Sequence, residues 1–145
     1  MLISMVKKGF VLLFFVVLHI SGYSQSVKDI IATGDRFTSK KDYASAIKLY
    51  SEALVINPDD ALLNFKLGLS YLYSDTKSKA AEFIDKAYRL NPSTNPKIDY
   101  YLGIAFQNTN EYKKAIQHFE TALSLTNSAS EKAPLTKNIQ RLKGM

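Results

Sequence analysis

An all-α solenoid of stacked helical hairpins is the fold this sequence predicts, and three observations predict it. A skeleton of glycine, aromatic, alanine, bulky residue and alanine occurs as Gly34, Phe37, Ala46, Tyr50 and Ala53. It returns as Gly68, Tyr71, Ala80, Ile84 and Ala87, and again as Gly103, Phe106, Ala115, Phe119 and Ala122. The offset is 34 residues between the first two copies and 35 between the last two, at every one of these places. Asn57-Pro58 and Asn91-Pro92 punctuate the copies at matched points. Self-similarity at this period marks a repeat architecture, in which each unit buries its apolar face only against its neighbours.

The chain opens with a different pattern. Lys7 and Lys8 carry the only charges of the first eight residues, an apolar run from Phe10 to Ile20 follows, and Ser21 to Gln25 supplies small residues. A basic start, a short apolar core and a small-residue exit make a secretory signal peptide. Cleavage is expected after Ser24, with Gly22 and Ser24 three and one places before the cut. The run of 11 residues is short of the roughly 20 that a membrane-spanning helix needs. The expectation is therefore residues 1–24 as signal, residues 25–128 as repeats and residues 129–145 as a capping helix. An exported protein in the periplasm or outside the cell follows, membrane-tethered only if the signal is retained, with no stable span after cleavage.

Six helices are legible between the ends. First helices are expected over 27–39, 61–74 and 96–109, and second helices over 43–56, 77–90 and 111–125. Asp42 and Asp75 or Thr76 stand at starts as caps, because their side-chain oxygens can accept from unpaired N–H groups of the first turn. Asn95-Pro96 combines a capping Asn with Pro at the first helical position. Asn57 and Asn91 close helices, since the residue before Pro avoids helical angles. The extra residue between the second and third copies falls in the loop 93–95, outside any helix. Glycine costs about 1 kcal/mol in a helix interior, so Gly34, Gly68 and Gly103 need a packing reason: two helices crossing with their backbones close, the gaps filled by the aromatics. At the C-terminal end, Leu135, Ile139 and Leu142 fall on one face, opposite Lys137, Gln140, Arg141 and Lys143. A capping helix is expected there, since the end of a stack needs a polar outer face.

In the second copy the residues read Leu67-Gly68, Tyr71, Ala80, Ile84, Ala87 and Pro92; in the third, Leu102-Gly103, Phe106, Ala115, Phe119 and Ala122. These resemble the tetratricopeptide repeat, whose pattern runs L-G-x-x-Y, then A-x-x-x-F, then Pro. The resemblance covers roughly residues 26 to 127, as three repeats near 27–60, 61–95 and 96–129. Ile30, Asn64 and Asp99 stand where the pattern has Trp, Thr33 where it has Leu, and Asn127 where it has a closing Pro. The resemblance implies an α-solenoid of three helix-turn-helix repeats whose first helices line a concave groove. Carried over, the inward places are Lys28, Ile31, Asp35, Thr38 and Ser39; then Leu62, Phe65, Leu69, Leu72 and Tyr73; then Lys97, Tyr100, Ile104, Gln107 and Asn108. A subset of the family grips a C-terminal carboxylate through Lys, Asn and Arg. The corresponding places here hold Ile31, Asp35, Lys66, Lys97 and Tyr101, so only Lys97 matches and Asp35 would repel a carboxylate.

Composition narrows the function classes. The formal charge of +6 falls to +4 once Lys7 and Lys8 leave, and basic and acidic residues alternate along the repeats. That is a solvated surface rather than the basic stripe of a nucleic-acid binder. No Cys occurs, and after residue 24 the only His is His118, with no H-E-x-x-H spacing and no Gly-rich phosphate loop. A catalyst needs positioned acids, bases or nucleophiles in a pocket; His118 reads instead as a half-exposed helix residue. No enzyme activity, cofactor, metal or small-molecule substrate is expected. The expected function is a protein-protein interaction module of the bacterial cell envelope that takes a protein or peptide segment in its groove. The alternative is a scaffold subunit of an envelope assembly that uses its convex or end faces.

Overall fold

The computed structural model describes residues 27–145, and the expected signal peptide and its cleavage point lie outside the described residues. Among the described residues the fold is all-helical. Helix α1 covers 27–39, α2 Tyr43–Ile56, α3 Ala61–Leu72, α4 Ala80–Leu90, α5 Ile98–Asn108, α6 Tyr112–Leu125 and α7 Ala129–Lys143, with a 3-10 turn over Lys77–Lys79 ahead of α4.

Local chemistry sets the ends. Asp42 accepts from the Ser45 N–H at the start of α2, and Asp60 accepts from the Leu63 N–H at the start of α3. Asn57 and Asn91 leave the helical region as the residues before Pro58 and Pro92. Five ends differ from expectation, two of them by a single residue, since α5 stops at Asn108 and α6 starts at Tyr112. The first turn of the expected helix over 77–90 is the tighter 3-10 turn, because Thr76 places no side-chain bond on the free N–H groups there. Pro96 precedes α5 instead of opening it: Asn95 spends its side-chain oxygen on the Lys97 N–H, and the helix begins at Ile98. Tyr73 and Ser74 fall beyond the end of α3.

Each hairpin closes on a glycine facing a bulky residue of the second helix. A Cβ on Gly34 would lie 2.6 Å from the Tyr50 ring, on Gly68 2.4 Å from Ile84, and on Gly103 2.4 Å from the Phe119 ring. No side chain fits at those places, which is the packing reason for the recurrent glycine. The opposing Ala46, Ala80 and Ala115 are fully buried.

Two buried clusters fill the molecule. Ala46, Tyr50, Ala53, Leu63 and Leu67 join the first hairpin to α3. A larger one runs from Phe65 and Ile84 through Leu102 and Phe119 to Leu135, Ile139 and Leu142 of α7. Tyr71 packs against both, so the apolar interior is continuous along the stack. Helix α7 lies beside α5 and runs the same way. Near their starts Glu131 pairs with Lys97, and near their ends Arg141 donates to Gln107 at 2.6 Å. Lys143 adds a bond to Glu120 of α6. α7 thus takes the place a further first helix would occupy, with its basic side outward.

Candidate functional site

The first helices α1, α3 and α5 form one face, joined by contacts between neighbours. Asp35 of α1 accepts from the Lys66 Nζ of α3 at 2.6 Å, and the Phe65 ring of α3 meets Tyr101 of α5 edge-on at 5.7 Å. Asp35 also accepts from the Tyr50 hydroxyl at 2.6 Å, which fixes its carboxylate. Burial, then the hydrogen bond to Asp35, push the Tyr50 hydroxyl up to about 12.

The residues expected to line the groove differ in exposure. Leu62 and Tyr73 are half exposed, at 52% and 51%. Leu69, Tyr100 and Ile104 are partly exposed, as is Ile31 against the first cluster; Lys28, Asp35, Lys97 and Asn108 are exposed. Phe65 and Leu72, at 3% and 4%, turn inward and offer no surface. This corrects the expectation for both: the Phe65 ring is met by Tyr101 of α5, and Leu72 packs into the larger buried cluster. Gln107 stays partly exposed but is engaged by Arg141.

Tyrosines carry the exposed strip. Tyr43, at the start of α2, lies 5.7 Å from the Tyr73 ring, and Tyr101 lies 5.4 Å from Tyr100. Burial, then the neighbouring Tyr101, push the Tyr73 hydroxyl up to about 12, so it stays a neutral donor. Tyr43 was not expected here, because second-helix residues point to the back in the repeat pattern; its place at the turn brings the ring round to Tyr73. The strip leads to a cavity of about 530 Å³ between α5, the α6–α7 connection and α7, walled by Pro96, Tyr100, Tyr101, Ala122, Leu125, Pro134 and Leu135. Lys97 and Glu131 lie on its lining, paired at 2.8 Å. Each shifts the other: the bond to Glu131 raises Lys97, and the bond to Lys97, then that from Thr126, lowers Glu131.

His118 is less exposed than the sequence suggests. Its Nδ1 lies 2.8 Å from the Asp99 carboxylate, which is 7% exposed, and its ring stacks on Phe106 and meets Tyr88 edge-on. Its partner is on the facing helix, α5. The signal in the sequence was Asp99 itself: an acid at a place where the pattern packs Trp must find a partner across the hairpin. Among the described residues no group of three or more His, Cys, Asp or Glu is placed to hold a metal. No helix among them is long and apolar enough to cross a membrane.

A family model described as TPR repeat matches residues 34–73, and one described as tetratricopeptide repeat matches residues 100–128. The chain carries tetratricopeptide repeats. Over 63% of its length it is 34% identical to a peroxisomal targeting signal receptor of Candida albicans, and over 62% it is 35% identical to tetratricopeptide repeat protein 1 of Schizosaccharomyces pombe. Those matches span only 15% and 10% of the two relatives.

Solved tetratricopeptide structures share the fold. The Sgt2 domain of Aspergillus fumigatus has a TM-score of 0.65 at 23% identity, covering 82% of this chain and 78% of that one. The first such domain of RPAP3, bound to the HSP90 peptide SRMEEVD, has 0.71 at 22%, covering 82% and 94%. The Yersinia enterocolitica secretion chaperone SycD, in complex with a peptide of the translocator YopD, has 0.67 at 12%, covering 82% and 93%. Repeats of this kind generally serve as non-catalytic protein-interaction modules.

Proposed function

We propose that the protein is a non-catalytic interaction module of the bacterial cell envelope whose first-helix face binds an extended or helical segment of another protein. One observation carries this reading: the strip of Tyr43, Tyr73, Tyr101 and Tyr100, with exposed Leu62 and partly exposed Leu69 and Ile104, running from the start of α2 across α3 and α5 and ending in a cavity. Tyrosine supplies a large contact area at low entropic cost and a polar tip that keeps the free face wettable. Peptide capture by the RPAP3 domain and by SycD supports the same use of the fold. Export rests on the basic, then apolar, then small-residue N-terminal pattern. Intact-mass analysis of the exported protein tests it, since a mass that retains residues 1–24 means a tethered form.

The test of the face is the double change Tyr73→Ala, Tyr100→Ala, measured on a partner captured by the full chain. Loss of central aromatic anchors typically costs 2 kcal/mol or more each, roughly thirty-fold in affinity. Far-UV circular dichroism should stay helical, since Tyr73 is half exposed and Tyr100 partly so. One observation favours the scaffold reading: Val55 is 85% exposed and Ile56 49%, together at the end of α2. Binding that survives the tyrosine changes but fails with Val55→Asp would establish that reading instead.

A further inference from the structure

Two of the groove's three lysines are already occupied by the chain's own carboxylates. Lys66 Nζ lies 2.6 Å from Asp35, and Lys97 Nζ lies 2.8 Å from Glu131. Both acids accept a second hydrogen bond: Asp35 takes the Tyr50 hydroxyl on the same Oδ1 that meets Lys66, and Glu131 takes the Thr126 hydroxyl on its other oxygen at 2.5 Å. Neither acid swings free, and the two come from opposite ends of the molecule, α1 and α7. Lys28, exposed at the start of α1, is the remaining lysine among the residues expected on this face.

We infer that Asp35 and Glu131 are specificity-determining residues that exclude acidic segments and carboxylate termini, so that the partner of this face is an uncharged, apolar stretch of polypeptide. The inference rests on the first-helix face being the binding site. An incoming carboxylate would have to displace a tethered internal one from each lysine, and the displaced acid would then repel it from a few ångströms away. An uncharged segment meets no such cost, because Lys66 and Lys97 are already balanced by Asp35 and Glu131, and it finds Leu62, Leu69 and Ile104 beside the tyrosines. Specificity of this kind comes from the penalty built against the wrong ligand as much as from contacts to the right one. Glu131 makes the selection depend on α7, a helix outside the hairpins whose face it polices.

The test compares the full chain with its Asp35→Asn, Glu131→Gln form, which keeps an acceptor oxygen for Tyr50 and Thr126 and removes the negative charge that balances each lysine. Random dodecapeptides displayed on phage are selected on each protein. The best sequences are then made synthetically with a fluorescent label and either a C-terminal amide or a free carboxylate. The unaltered chain is expected to select peptides poor in Asp and Glu, with Kd values for amide and carboxylate forms within about twofold. The double variant should select acid-rich peptides and bind the carboxylate forms roughly tenfold more tightly than the amides, as newly available charge-assisted bonds allow. Acid-rich peptides from the unaltered chain, or a variant with no carboxylate preference, overturn the inference and leave the face standing. Selected peptides that bind equally well after Tyr73→Ala, Tyr100→Ala, or the absence of any selected peptide, would remove the face as the site and the inference with it.

Discussion

Single residues carry the crossings that hold each hairpin shut. Ala80 is fully buried, and its carbonyl lies 3.3 Å from where a Cβ on Gly68 would stand, so the α3 and α4 backbones approach closely there. Ala80→Leu is expected to cost about 1–3 kcal/mol through overpacking, and Ser78→Leu, on the exposed 3-10 turn, to stay within about 0.5 kcal/mol. Urea melts of the two variants check this; equal midpoints would mean the crossing is elsewhere. Tyr50 makes a prediction in pH. Its hydroxyl is raised from 10 to about 12, so the folded chain holds the proton after the unfolded chain has lost it. Its contribution is fully present below pH 10 and disappears as pH rises through about 12. Unfolding free energy should fall across that window by an amount on the order of 2 kcal/mol, and Tyr50→Phe should flatten the fall. Two polar residues at the Trp places, Asn64 and Asp99, were visible as departures from the repeat pattern, but their partners were not. Asn64 donates to the Pro58 and Asp60 carbonyls, and Asp99 meets His118.

Elements differ in how much of their geometry the sequence contains. The ends of α2 were legible because Asp42 and Asn57-Pro58 act locally, and local chemistry survives in sequence. The ends of α3 and α5 shifted by two residues each, where turns compete with the last or first helical bond. The turns themselves hold a hidden regularity: Lys41 and Asn110, at matched places in the first and third hairpins, take φ values of 61° and 62°. The left-handed region disfavours residues with a Cβ, and nothing in a lysine announces it. Helix α7 has its own internal defect. Pro134 lies inside it, where it offers no N–H to the preceding turn and crowds the carbonyl four residues back. Pro134→Ala is expected to raise stability by about 1–3 kcal/mol, seen as a higher urea midpoint. An unchanged or lower midpoint would mean that the Pro134 ring on the cavity wall matters more to packing than the missing bond does to the helix.

At the scale of the molecule, stability in a stack is close to a sum over hairpins and the joints between them. Helix α7 supplies the last joint, through buried Leu135, Ile139 and Leu142 and through the polar contacts to Lys97, Gln107 and Glu120. Removing residues 129–145 uncovers the end of the larger cluster and one wall of the cavity. The truncated chain should melt at lower urea and associate at concentrations where the full chain stays monodisperse, as light scattering would report. A truncated chain with unchanged midpoint and scattering would deny α7 its capping part. The sequence by itself determined the solenoid, because a 34-residue period in glycine, alanine and aromatics dictates which backbones can approach, and that information is local to each hairpin. It also marked the first-helix face as the place to look. Only the tertiary structure decided which side chains on that face remain exposed, because Phe65 and Leu72 pack into the larger buried cluster while Leu62 and Tyr73 stay half exposed. It alone decided the charge of the groove as well, since Asp35 and Glu131 reach Lys66 and Lys97 from helices 31 and 34 residues away in sequence, a distance across which no local rule speaks.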